Sequence, residues 1–96
     1  MNLLAGMIER AGTPMLQRAI ITLEAWLNEL PPSILRNNPG ILSIRGSISS
    51  MKGDARGGLE LFNQAERSYR AEKNASGLNL TLIRRATAHR FLGDYS

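Results

Sequence analysis

Arginine is the residue type in this chain best suited to recognition chemistry. Ten of the twelve basic residues are arginine: Arg10, Arg18, Arg36, Arg45, Arg56, Arg67, Arg70, Arg84, Arg85 and Arg90. A guanidinium fork binds a carboxylate or phosphate with two hydrogen bonds, and a net charge of +4 favours an anionic partner. The arginines are nevertheless spread through the chain and interleaved with glutamate, which is the pattern of a solvated helical surface. Catalytic chemistry has less to work with. His89 is the sole histidine, one turn from Arg85 and beside Arg90, and no nucleophile or carboxylate adjoins it in sequence. It reads as a helix-packing or surface residue. Asp54 and Asp94 look like a carboxylate pair, but each follows a turn glycine and precedes a helix, where the side chain caps exposed amides. Cysteine is absent, and one histidine builds no metal site. No G-x-x-x-x-G-K-S/T phosphate loop occurs. The expectation is a binding protein without catalytic residues, metal or cofactor.

The elements that must position these groups are helical. Ninety-six residues make one domain at most. An aromatic content of 5% beside plentiful Leu, Ile and Ala suits helices packed through aliphatic ridges. Leu4, Ile8 and Ala11 share a face of a first helix over 3–11, which Gly12-Thr13-Pro14 is expected to stop, with Thr13 capping the next helix. Leu16, Ala19, Ile20, Leu23, Leu27 and Leu30 then recur at three- and four-residue spacing, until Pro31-Pro32 ends the pattern. Trp26 lies to one side of that stripe, where it either packs under the Pro31-Pro32 corner or is exposed for a partner; packing is expected. After a linker over 33–38, Ile41, Ile44, Ile48 and Met51 mark a third helix. Its other face is small, with Gly46, Ser47, Ser49 and Ser50, which calls for a closely approaching neighbour. A fourth helix over 55–73 sets Leu59, Phe62, Ala65, Glu66 and Tyr69 along one side. Residues 74–77 break it, and a fifth helix carries Leu78, Leu82, Ala86 and His89. No basic leader opens the chain, and its longest uncharged stretch, about half polar, falls far short of the ~20 apolar residues that span a bilayer. A cytoplasmic chain with no membrane partner is expected.

Self-similarity organises these helices. A shift of forty residues sets Gly53-Asp54 on Gly93-Asp94, Leu42 on Leu82, Arg45 on Arg85, Gly46 on Ala86, Ser47 on Thr87 and Ile48 on Ala88. Leu42, Gly46, Gly53-Asp54, Gly58, Phe62 and Ala65 fall where the tetratricopeptide repeat has its apolar, small, turn, small, aromatic and alanine positions, so the unit resembles that repeat. Arg45 and Ser49 depart from its apolar or aromatic positions, and the period exceeds the usual ~34. The fold expected is all-α, a right-handed superhelix of helical hairpins with about five helices. Residues 1–96 divide into a degenerate first hairpin (1–38), a complete repeat (39–78) and the start of the next (79–96). Leu23-Glu24-Ala25-Trp26-Leu27, Leu30-Pro31-Pro32, Leu35-Arg36, Pro39 and Arg45-Gly46 also resemble the helical-repeat region of LuxR-type ATP-dependent transcriptional regulators.

That resemblance implies a scaffold that recognises a protein segment or a small-molecule inducer. In such regulators the repeats stand between a nucleotide-binding module and a DNA-binding helix-turn-helix. Neither is present in the chain, which reads as a piece of a longer array, and contact with nucleic acid would belong to the rest of such a parent. The alternative is a basic helical domain that itself binds nucleic acid. The resemblance also places Arg45, Arg84, Arg85 and Arg90 on the helices that line the concave groove, as ligand-binding candidates. Arg90 is expected to face the groove, Arg84 its edge, and Arg45 and Arg85 the helix pair. The last helix carries Leu78, Leu80, Leu82, Ile83, Phe91 and Leu92, apolar on more than one side, and self-association through it is expected.

Overall fold

The structure, a computed structural model, describes the backbone of residues 3–91, and the side chains of that span apart from 12–18 and 89–91. Among the described residues there are six helices and no strand: α1 (Leu3–Arg18), α2 (Ile20–Asn28), α3 (Pro32–Asn37), α4 (Pro39–Met51), α5 (Ala55–Glu72) and α6 (Ala75–Phe91). The fold is all-α, as the periodicity predicts, and the 33–38 linker supplies the sixth helix. Outside the described residues fall, among other expectations, the cap at Thr13, the side chains of Leu16, His89, Arg90, Phe91 and Leu92, and the turn at Gly93-Asp94.

The first helix boundary differs from the one expected. Helix α1 runs through Gly12-Thr13-Pro14 to Arg18, and the chain turns at Ala19 instead. A proline removes only one amide from the helical ladder, which a sixteen-residue helix survives. Ala19 leaves helical geometry at φ −144° and ψ 49°, while its carbonyl accepts from Leu23 N at 3.0 Å and opens α2. The fold-back brings Ala5 and Ile8 onto Leu23, Leu27 and Leu30. Ile41, Ile44 and Ile48 of α4 complete this cluster, and Trp26, Ile34 and Leu35 pack against it. Trp26 therefore packs as expected. Met51 does not: it closes the predicted stripe but is exposed.

The other side of α4 is built of small residues, and the reason is the neighbour they admit. A Cβ at Gly46 would lie 2.9 Å from the Phe62 ring and 3.1 Å from the Gly58 carbonyl oxygen. A Cβ at Gly58 would lie 2.9 Å from the Gly46 carbonyl oxygen. The two glycines thus let α4 and α5 cross at backbone contact, with Phe62, Ala65 and Tyr69 buried beside them. Ser50 Oγ donates back to Gly46 O at 3.0 Å, so its hydroxyl is satisfied in the crossing. Helices α4, α5 and α6 each start on a side-chain cap. Asn38 Oδ1 accepts from Ile41 N, Asp54 Oδ1 from Gly57 N at 2.9 Å, and Asn74 Oδ1 from Gly77 N at 3.0 Å. Asp54 is the helix cap expected of it. Gly53, at φ 93°, makes the turn between α4 and α5, in a conformation that side chains other than glycine rarely adopt.

Helix α6 is oriented opposite to expectation. Its predicted stripe of Leu78, Leu82 and Ala86 leaves Leu82 and Ala86 exposed, while Thr81, Arg84 and Ala88 are buried. The groups on α4 and α5 decide this orientation. Ser43 offers Arg84 a hydroxyl, and Tyr69 lies over Gly77, where a Cβ would strike its ring.

Candidate ligand-binding surface

The three candidate arginines whose side chains are described do not converge. Arg45 is half-buried on α4, and its Nη1 donates to the carbonyl oxygen of Leu35, tying α3 to α4. Arg85 is half-buried on α6 and donates through Nη1 to Glu66 Oε2 at 2.9 Å, across the α5–α6 seam. Arg84, expected at the groove edge, is instead 8% exposed and donates through Nη1 to Ser43 Oγ at 3.0 Å. The side chain of Arg90 lies outside the described residues. Three arginines from one sequence motif thus serve three different seams.

Around Arg84 the structure gathers polar groups from four helices. Glu9 of α1 sits so close over the start of α4 that a Cβ on Gly40 would collide with its carboxylate. Burial of that carboxyl pushes Glu9 above its ordinary value, opposed by the Asn38 side-chain hydrogen bond. Glu72 adds to the rise, and Arg84 acts against it. Burial likewise pushes the Tyr69 phenol up, and Glu9 adds to the rise. The Arg84 guanidinium is pushed down by burial, while Tyr69 and Glu9 restore part of its charge stabilisation. Exposed Glu9 and buried Tyr69 and Arg84 thus act on one another's ionisation by charge. The assembly locks α1, α4, α5 and α6 together. At the α5–α6 seam, Glu66 takes Arg70 at 3.0 Å as well as Arg85, and the Arg70 hydrogen bond leads in holding its carboxyl below the ordinary value.

An open cleft lies on the other side of α4. A cleft of about 230 Å³ runs between α2 and α4, lined by Glu24, Leu27, Asn28, Leu35, Arg45, Ile48 and Ser49. Leu27, Leu35 and Ile48 make it apolar, and Glu24, Asn28, Arg45 and Ser49 give it polar walls. Glu24 is itself paired with Lys52 at the end of α4. Of the predicted site residues with described side chains, Arg45 alone lines this cleft. The sequence reading missed Glu24 and Ser49 as site residues, and Leu27 and Ile48 were read only as core. Their one sequence signal was the departure of Arg45 and Ser49 from the apolar positions of the repeat. Among the described residues no group of acidic, histidine or cysteine side chains could hold a metal ion, and no helix is long and apolar enough to cross a membrane. Comparison with family models, with curated proteins and with solved structures finds no match.

Proposed function

We propose that this chain is a non-catalytic helical-repeat segment of a cytoplasmic bacterial transcriptional regulator of the LuxR-type, ATP-dependent kind, and that it recognises a protein segment through the α2–α4 cleft. The observation that carries this reading is the cleft itself: an apolar floor of Leu27, Leu35 and Ile48 with the Arg45 guanidinium in its wall. Its size chooses between the two ligand classes that the repeat resemblance implies. At about 230 Å³ it lies below the ~300–1,000 Å³ of small-molecule sites and is open along its length, which suits one or two anchoring side chains of a peptide better than an enclosed inducer. A carboxylate on that peptide would meet Arg45, whose fork retains donors beyond its bond to Leu35.

Trp26, the sole tryptophan, packs against the core cluster whose Leu27 and Ile48 floor the cleft. Octapeptides that pair two leucines with one glutamate, titrated against the protein, should shift Trp26 emission saturably. Ser49→Trp, which fills the cleft, should abolish binding, and Arg45→Ala should weaken it by about tenfold, as for one charge-assisted hydrogen bond. Failure of every such peptide to bind would sink this reading. Tight, steeply salt-dependent binding of duplex DNA would replace it with the nucleic-acid alternative.

A further inference from the structure

The α2–α4 cleft carries charges of both signs, and their spacing selects the segment that fits it. Arg45, Ser49 and Lys52 recur at four and three residues, which sets them in one stripe along α4. Lys52 is the C-cap, and its N–H donates to Ile48 O at 3.0 Å, so the stripe runs unbroken to the helix end. Arg45 and Lys52 thus stand about 10.5 Å apart, two turns along the same wall. From the α2 wall, Glu24 lines the cleft and pairs with Lys52 Nζ. That pair is open to water, with the Lys52 side chain 58% and the Glu24 side chain 31% exposed. Exchanging one carboxylate for another at so exposed a lysine costs little.

We propose that the cleft takes an amphipathic helix with two acidic residues seven positions apart, and that Glu24 is a built-in competitor for the second of them. The inference rests on the reading of this cleft as a peptide site and names the peptide. In an extended segment about 10 Å is three residues, and side chains three apart point to opposite faces. In a helix the same span is about seven residues, as on α4 itself, and residues seven apart return to one face. The first carboxylate meets Arg45, whose fork retains donors beyond its bond to Leu35. The second displaces Glu24 from Lys52. Apolar residues at the two central positions of such a helix share the acidic face and reach the floor of Leu27, Leu35 and Ile48. The net charge of +4 favours a partner of this sign. While Glu24 holds Lys52, the second acid gains only what Glu24 gives up.

Alanine-based helical peptides, blocked at both ends and carrying Glu-x-x-Leu-Leu-x-x-Glu, test this by calorimetric titration beside a control whose second glutamate is glutamine. The unaltered chain should bind both with nearly equal Kd. Glu24→Gln should bind the two-glutamate peptide about two- to fivefold more tightly than the control, the range of an exposed ion pair. Adding Lys52→Gln to that variant should remove the difference. Moving the second glutamate to the far side of the peptide helix should remove it too, which separates a contact at Lys52 from net charge. Both substitutions fall on a water-exposed pair, so the helical circular dichroism should be retained. No preference in Glu24→Gln, a preference equal to that of the unaltered chain, or one that survives Lys52→Gln would overturn the inference while leaving the cleft a peptide site. Failure of both peptides to bind any of these proteins would overturn the two readings together.

Discussion

Glu9 is an exposed residue whose carboxylate is partly desolvated over the start of α4, and its placement makes stability depend on pH in a particular direction. Burial raises its affinity for a proton in the folded chain above the ordinary carboxyl value of 4.5, and the neighbouring Glu72 raises it further. Below the ordinary value the group is protonated in both folded and unfolded chains and imposes no penalty. As pH rises through the folded value, the unfolded chain ionises more readily, and the contribution of Glu9 to stability is lost. Glu9→Gln keeps a carbonyl for the Asn38 amide and removes the partly desolvated charge. The variant should therefore melt higher than the parent at pH 7, with the difference shrinking as pH falls through the carboxyl range. A lower melting temperature at pH 7 would mean that attraction to Arg84 outweighs desolvation at this site. Of this cluster the sequence singled out Arg84, but as a groove-edge residue, and it did not bring Glu9 or Ser43 to it. Glu9 and Ser43 drew no notice as site residues, because their significance depends on Arg84, which is forty-one residues from Ser43. Burial of an arginine is decided by what faces it, and one residue's type does not reveal that.

At the scale of elements, the sequence was most informative where backbone contact requires a residue with no side chain. Gly46 and Gly58 were read as small positions of a repeat, and the α4–α5 crossing needs both. Gly46→Leu must push Phe62 and the Gly58 backbone aside. It should cost about 1–3 kcal/mol as overpacking does, seen as a lower melting temperature with the far-UV helical signature retained. An unchanged or raised melting temperature would overturn the assignment of this crossing. Helix ends were legible where a side chain does the capping, as at Asp54, and not where the backbone turns without one, as at Ala19. Proline misled at Pro14 because tertiary packing of α1 and α2 outweighs the loss of one hydrogen bond. The orientation of α6 was illegible for a different reason. A helix with leucines on several sides offers two faces to bury, and partners on α4 and α5 choose between them.

In the whole molecule, α4 is the element through which everything else is joined. It touches α1, α3, α5 and α6, and nine of its residues are buried. Its isoleucines belong to the cluster with α1 and α2, and its glycines and serines to the crossing with α5 and α6. A stack of independent hairpins would let one end melt before the other, as long repeat arrays do when cooperativity fails. Here neither end keeps its core without the shared helix, so unfolding should be a single transition. Denaturation followed by Trp26 fluorescence reports the α1–α2 side, and far-UV circular dichroism reports all the helices together. The two curves should coincide. Ile44 is fully buried in the α1–α2–α4 cluster, so Ile44→Ala removes about 2–5 kcal/mol, as truncation of a core residue does. If α4 is the shared element, both probes move to lower denaturant by the same amount. A Trp26 transition that separates from the circular dichroism curve, in the parent or in the variant, would show that the two sides of α4 unfold independently.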